Sequence, residues 1–128
     1  MSTFPDVKKK LGFGCMRLPM DGEKVDYAEF TKMVDEFMAQ GFNYFDTAPI
    51  YHFGKSEQIL GRALEGGYRE KVRIATKLPH WEVFEREDMD RILDGQLTLL
   101  QTDHIDYYLL HSLSGRSFRI MQDLGVLG

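Results

Sequence analysis

Four side chains carry most of the chemistry open to this sequence: Asp46, Tyr51, Lys77 and His111. A tyrosine phenol ionises only near pH 10, so at neutral pH it is a weak acid. A nearby ammonium stabilises the phenolate and makes the phenol a better proton donor, and Lys77 could supply that charge. Asp46 could pair with Lys77 and keep it charged under partial burial. His111 could hydrogen-bond a substrate oxygen and orient it. A tyrosine set among such groups can act as a general acid while negative charge develops on a carbonyl oxygen. None of the four forms a nucleophile with its own base. Each also has a plainer reading on its own. Asp46 could cap a turn, Lys77 could be a solvated charge, Tyr51 a loop aromatic with a satisfied hydroxyl, and His111 a polar residue at a sheet rim. Their joint placement is what favours the chemical reading.

That placement depends on the elements that carry them. Leu11 to Leu18 reads as a short strand weakened by Gly12 and Gly14, and Pro19 with Asp21-Gly22 marks a turn. Phe30, Met33, Val34, Phe37 and Met38 follow the i, i+3, i+4, i+7, i+8 pattern of a helix. Asp26 and Glu29 suggest a capping box at its start, and Gly41 a left-handed residue after its end. The segment 42–48, FNYFDTA, reads as a strand. Ser56 is expected to be the N-cap of a second helix whose apolar face is Ile59, Leu60, Ala63 and Leu64, ended by Gly66-Gly67. Val72 to Leu78 reads as a strand stopped by Pro79. A third helix is expected from about Glu87 to Leu100, with Met89, Ile92, Leu93, Leu97 and Leu100 on one face. Ile105 to Leu110 is another strand, and Ser114 caps a last helix bearing Phe118, Ile120, Met121 and Leu124.

Strands and helices therefore alternate, which implies a parallel sheet with crossover helices. The pattern alone leaves both an open doubly wound sheet and a (β/α) barrel open. In either, ligands bind at the carboxyl ends of the strands. Asp46, Lys77 and His111 lie at three successive strand ends, 31 and 34 residues apart, each about one βα unit of ~30 residues. Tyr51 lies in the loop after the first of these ends.

The remaining features narrow the class. The chain has 128 residues, a formal net charge of −4 and 28% charged residues. That size is the range of one domain, and mild acidity argues against nucleic acid or an anionic membrane as partner. Nine Phe, six Tyr and one Trp argue against disorder. One cysteine, Cys15, excludes an internal disulfide and favours the cytoplasm. No apolar run approaches a membrane span, and the N-terminus lacks the apolar stretch of a secretory signal. His52, His80, His104 and His111 show no HxH or HExxH spacing, so no metal site is expected. A weaker alternative, a metal-dependent barrel hydrolase using Asp46 and His111, would need one. The segment LGFGCMRL is neither a GxGxxG fingerprint nor a P-loop.

The segments GFGCMRLP, FDTAPIYHFGKSEQILGRAL, VRIATKL and LQTDHIDYYLLH together resemble the aldo-keto reductase family. The resemblance runs from about Lys9 to Leu127, with the motifs in the family's order and close to its spacing. It implies an α/β fold: the N-terminal part, about four βα units, of a TIM (β/α)8 barrel. Residues 1–128 would then be a partial reductase domain, an N-terminal half-barrel. It implies NAD(P)H-dependent reduction of an aldehyde or ketone to an alcohol. Asp46, Tyr51, Lys77 and His111 match the family's catalytic tetrad, with Tyr51 as proton donor, Lys77 easing its ionisation, Asp46 paired to Lys77 and His111 orienting the carbonyl. The cofactor would be NADPH, with NADH as the alternative, and its contacts would include Gly14, Cys15, Met16, Arg17 and Asp46. The partner would be a small-molecule carbonyl substrate. A half-barrel leaves open sheet edges, so self-association through them is expected. The alternative is a non-catalytic, reductase-like module that binds or assembles.

Overall fold

A computed structural model of the chain describes residues 7–8, 11–111 and 114–125. Its centre is a four-stranded parallel sheet. In chain order the paired strands are β1 (Gly12–Gly14), β4 (Tyr44–Asp46), β5 (Arg73–Leu78) and β6 (Tyr107–Leu110), and they lie side by side in that order. Between β1 and β4, the short strands β2 (Met20–Asp21) and β3 (Lys24–Val25) form an antiparallel hairpin whose turn holds Gly22 at φ +65°. The sequence showed the turn but not the ribbon, because two-residue strands are too short to give an alternating pattern. The helices are α1 (Tyr27–Ala39), α2 (Ser56–Ala63), α3 (Arg86–Leu100) and α4 (Gly115–Asp123). This arrangement of consecutive βα units with one hand of sheet is that of a (β/α) barrel, four units long.

The helix ends follow from local chemistry. Asp26 caps α1 by accepting the Glu29 N–H at 3.1 Å, and Gly41 follows it at φ +88°. The expected capping box is only half formed, since the Asp26 N–H donates instead to Pro19 O at 2.7 Å. Ser114 and Ser117 cap each other's backbone at the start of α4. On α3 the cap is Glu85 with Asp88, so the helix begins at Arg86, one residue ahead of the expected start.

Side chains on a strand alternate between faces. Phe45, Ile74, Thr76 and Leu78 turn toward the helices, and all four are buried. The larger core joins Cys15, Phe30, Val34, Phe45, Leu60, Leu64, Val72, Ile74 and Leu100. Phe13 meets Phe30 and Phe37 edge-on and stacks on Phe45 at 5.5 Å. Met33 stands at the margin of the α1 stripe and is 40% exposed. On α4, Met121 and Ser117 are buried, while Phe118 and Ile120 lie outside the core. At the amino ends of β5 and β6, Arg69 donates to Asp106 Oδ2 at 3.1 Å and to His104 O at 2.8 Å, and Asp106 accepts the Ile74 N–H at 2.8 Å. This anchors the end of the sheet away from Asp46, Lys77 and His111. Among the described residues no helix is long and apolar enough to cross a membrane.

Candidate active site

The opposite face of the sheet carries Asp46, Lys77 and, just past β6, His111. Asp46 is the last residue of β4, and Lys77 is one short of the end of β5. The Lys77 ammonium donates to both Asp46 oxygens, at 3.0 and 3.1 Å, and to Thr47 O at 2.8 Å. All three N–H groups are thus directed at β4 and its first loop residue. With Lys77 at 14% and Asp46 at 32% side-chain exposure, the pair lies partly out of water, where each charge depends on the other. Tyr51 opens a short 3₁₀ turn, Tyr51–Gly54. Its ring centroid lies 5.0 Å from Lys77 Nζ, within cation–π range. The His111 ring stands edge-on to Tyr51 at 6.0 Å. The structure therefore brings all four of these residues into one cluster.

His111 is buried, and its Nδ1 is the buried side-chain polar atom without a hydrogen-bond partner among the described residues. Burial, then the Lys77 and His80 charges, holds it below the ordinary imidazole value, against the opposing pull of Asp46. It is thus neutral at pH 7. The unfolded chain binds a proton at this residue more readily than the native one. Its contribution to stability is complete above about pH 6.5 and is lost as pH falls from there through the folded value, with a slope of at most about 1.4 kcal/mol per pH unit. Glu57, raised by burial, acts in the opposite sense above the ordinary glutamate range. The useful quantity is therefore a difference. Urea unfolding at several pH values between about 5 and 7 should show wild type losing stability on acidification more steeply than His111→Gln. Parallel curves would remove His111 from this role.

The loops around the cluster are fastened by polar contacts. Cys15 N–H donates to Asp46 O at 2.8 Å, and Thr47 N–H to Ala75 O at 2.9 Å. The Thr47 and Ser56 hydroxyls lie 2.7 Å apart, and Ser56 donates to Cys15 O at 3.1 Å. Ser56 is therefore not the N-cap expected from sequence. The turn before it already has helical backbone at Lys55, so Ser56 starts inside α2 and spends its hydroxyl on the β1 and β4 loops. Next to Tyr51, His52 adopts φ +51° and its Nε2 accepts the Leu18 N–H at 2.8 Å. This ties the Tyr51 turn to the end of the β1 loop.

That loop holds the other expected contacts. Gly14, Met16 and Arg17 are exposed at the rim. Cys15 differs: it is fully buried, both its backbone groups are used internally, and its thiol is pushed up to about 12 by burial and by Asp46, against Lys77. Its side chain belongs to the core. Four participants were not read as site residues in the sequence. Trp81, the chain's single tryptophan, stands edge-on to His111 at 5.4 Å, on the wall of a groove of about 340 Å³ with Phe84, Ile120 and Met121. Thr47, Glu57 and Gln96 support the cluster from behind. The signal for Gln96 was present: it lies in the i, i+4 column with Ile92 and Leu100, where a polar side chain must be buried. Among the described residues no three His, Cys, Asp or Glu side chains are placed to hold a metal ion.

Comparison with known proteins agrees with this arrangement. Residues 10–117 match the model of the Aldo/keto reductase family. Aldo-keto reductase YhdN of Bacillus subtilis (strain 168) is 42% identical over 80 residues, covering 56% of this chain and 24% of that protein. The uncharacterized oxidoreductase YrpG of the same organism is 33% identical over 126 residues, covering 84% and 37%. An aldo-keto reductase from Klebsiella pneumoniae in complex with NADPH superposes with a TM-score of 0.69 at 25% identity, covering 91% of this chain and 41% of that one. The holo form of aldo-keto reductase AKR11C1 from Bacillus halodurans gives 0.68 at 30%, covering 91% and 43%. The chain thus spans well under half the length of these relatives.

Proposed function

Because the chain belongs to the aldo/keto reductase family, we propose that it carries the proton-donor side of a site that reduces an aldehyde or ketone to an alcohol with a nicotinamide cofactor. The observation that carries this reading is the Lys77 ammonium, gripped by Asp46 and Thr47 O and lying 5.0 Å from the Tyr51 ring centroid. We read residues 1–128 as the N-terminal half-barrel of such a domain. We assign NADPH, because the Klebsiella relative binds it, with NADH as the alternative. The site of action is assigned to the cytoplasm.

The residues present fit such a group. A Cβ at Gly14, beside Asp46 in the sheet, would meet no atom within 4 Å, which leaves room for a ligand to approach the backbone. Met16 and Arg17 are exposed next to it, and Arg17 offers a guanidinium to a diphosphate. Cys15 supports this rim from the core. When bound, the cofactor supplies hydride to the carbonyl carbon.

The chain's own residues do the rest. Tyr51 gives its phenolic proton to the carbonyl oxygen as negative charge develops there. Lys77 stabilises the phenolate left behind, Asp46 and Thr47 O hold Lys77 in place, and the neutral His111 imidazole orients the carbonyl oxygen. Adding a simple aldehyde and NADPH should consume the cofactor, and Lys77→Met should lower kcat at least tenfold, on the order of a lost electrostatic contact in the transition state. Equal turnover in the two proteins would contradict the role of Lys77.

The described sheet ends in β1 on one side and β6 on the other. Open edges pair with other chains. We therefore propose that these 128 residues on their own associate through these edges, and sedimentation should show concentration-dependent oligomers. A compact monomer that unfolds cooperatively would contradict this. Association without turnover would instead support the second reading, a non-catalytic module that binds or assembles.

A further inference from the structure

We infer that Gln96, backed by Glu57, is a positioning residue for Lys77; this rests on the reductase reading only in what it assigns to Lys77. Ala75 O points toward β4 and accepts the Thr47 N–H at 2.9 Å. Carbonyls two residues apart on a strand point to the same side, so Lys77 O also points toward β4. β4 has ended by then, and the residue two beyond Thr47 is Pro49, which has no N–H to give. Lys77 O would be left without a partner at the strand end that must hold the ammonium.

Gln96 fills that gap from α3. Its Nε2 donates to Lys77 O at 2.9 Å and to Glu57 Oε2 at 3.0 Å, so both amide hydrogens are used. Its Oε1 accepts from the Tyr108 hydroxyl on β6. Glu57 Oε2 also accepts the Thr76 hydroxyl at 2.8 Å. Gln96, Glu57 and Thr76 are 3%, 1% and 0% exposed, so each bond is made out of water, where losing a partner is most costly. One amide therefore links α2, α3, β5 and β6 at the residue whose side chain reaches Asp46. A purely structural pair in the helix layer would not need to bond the Lys77 carbonyl.

The test reads the Lys77 side chain directly. In protein carrying ¹³Cε-labelled lysine, the Lys77 Cε signal, assigned by its loss in Lys77→Arg, should show a high order parameter, approaching the about 0.85 of rigid backbone. In Gln96→Met, which keeps side-chain volume, it should fall below about 0.6, the mobile range, while the Ile74 and Leu78 methyl signals stay in place. Tyr108→Phe, which keeps both Gln96 donor bonds, should leave Lys77 rigid. If Gln96→Met does not fold, Gln96→Leu, which also removes both donor bonds, is read the same way. A folded variant with Lys77 as rigid as in wild type overturns the inference, even if its melting temperature falls, since that is the signature of a structural role alone. No turnover in wild type together with a loosened Lys77 in Gln96→Met would sink the reductase reading and leave the positioning role intact. Turnover with Lys77 rigid in both would do the reverse.

Discussion

Replacing Tyr51 with Phe is expected to lower kcat for carbonyl reduction by about 10²–10⁴-fold, the usual range for a lost general acid. The substitution removes one oxygen. The ring stays, and with it the edge-on contact to His111 at 6.0 Å and the Lys77 ammonium at 5.0 Å. Asp46, Thr47 and Lys77 keep their bonds to one another, because none of these runs through the phenol. Cofactor affinity and melting temperature should therefore change little. The loss should fall on kcat and kcat/KM together, the pattern of an interaction made only in the transition state. Steady-state kinetics with a simple aldehyde reads it. Turnover within a factor of two of wild type would remove Tyr51 as the acid and direct attention to His111.

The second large effect concerns the fold. Gly61→Ala should destabilise the protein by about 3 kcal/mol or more, at the upper end of overpacking in a core. A Cβ at Gly61 would lie 2.6 Å from Leu100 C and O and 2.7 Å from its Cα. These are backbone atoms of α3, so no side-chain rotation relieves the clash. Only separation of α2 from α3 can, and that opens the core around Leu60 and Leu100. The Ala residue returns up to about 1 kcal/mol of helix propensity, which is too little to offset the clash. Thermal unfolding should show a fall of about 10 °C or more. Gly95→Ala provides the contrast. Gly95 is exposed in α3 and a Cβ there meets nothing within 4 Å, so the same substitution should stabilise by up to about 1 kcal/mol. Equal shifts at both sites would contradict the close approach of α2 and α3.

Much of the arrangement was legible because it is periodic. The spacing of Asp46, Lys77 and His111 reports the length of a βα unit, and the sheet order β1-β4-β5-β6 places those three strand ends side by side. The motif FDTA with Tyr51 five residues on matched a known family, and the cluster it implied is present. What escaped was non-periodic. A capping rule placed Ser56 at the N-cap, but a cap needs extended backbone before the helix, and the preceding turn is already helical. The burial of Cys15 gave no signal either, because the irregular segment after Gly14 shows no alternation from which to assign a side. Glu57 was overlooked because helix patterns classify polar residues as surface; the column of Gln96 marks burial, but only the fold shows the partners, Thr76 for Glu57 and Lys77 O and Tyr108 for Gln96.

The cluster of Asp46, Tyr51, Lys77 and His111 is proposed to sit beside a nicotinamide. Trp81 tests it directly, since it is the chain's single tryptophan and stands 5.4 Å from His111. Titrating NADPH into the protein while following Trp81 emission should give saturable quenching with energy transfer to the dihydronicotinamide, weakened when Arg17 is replaced by Ala. Unchanged Trp81 emission from folded protein across the titration would contradict it.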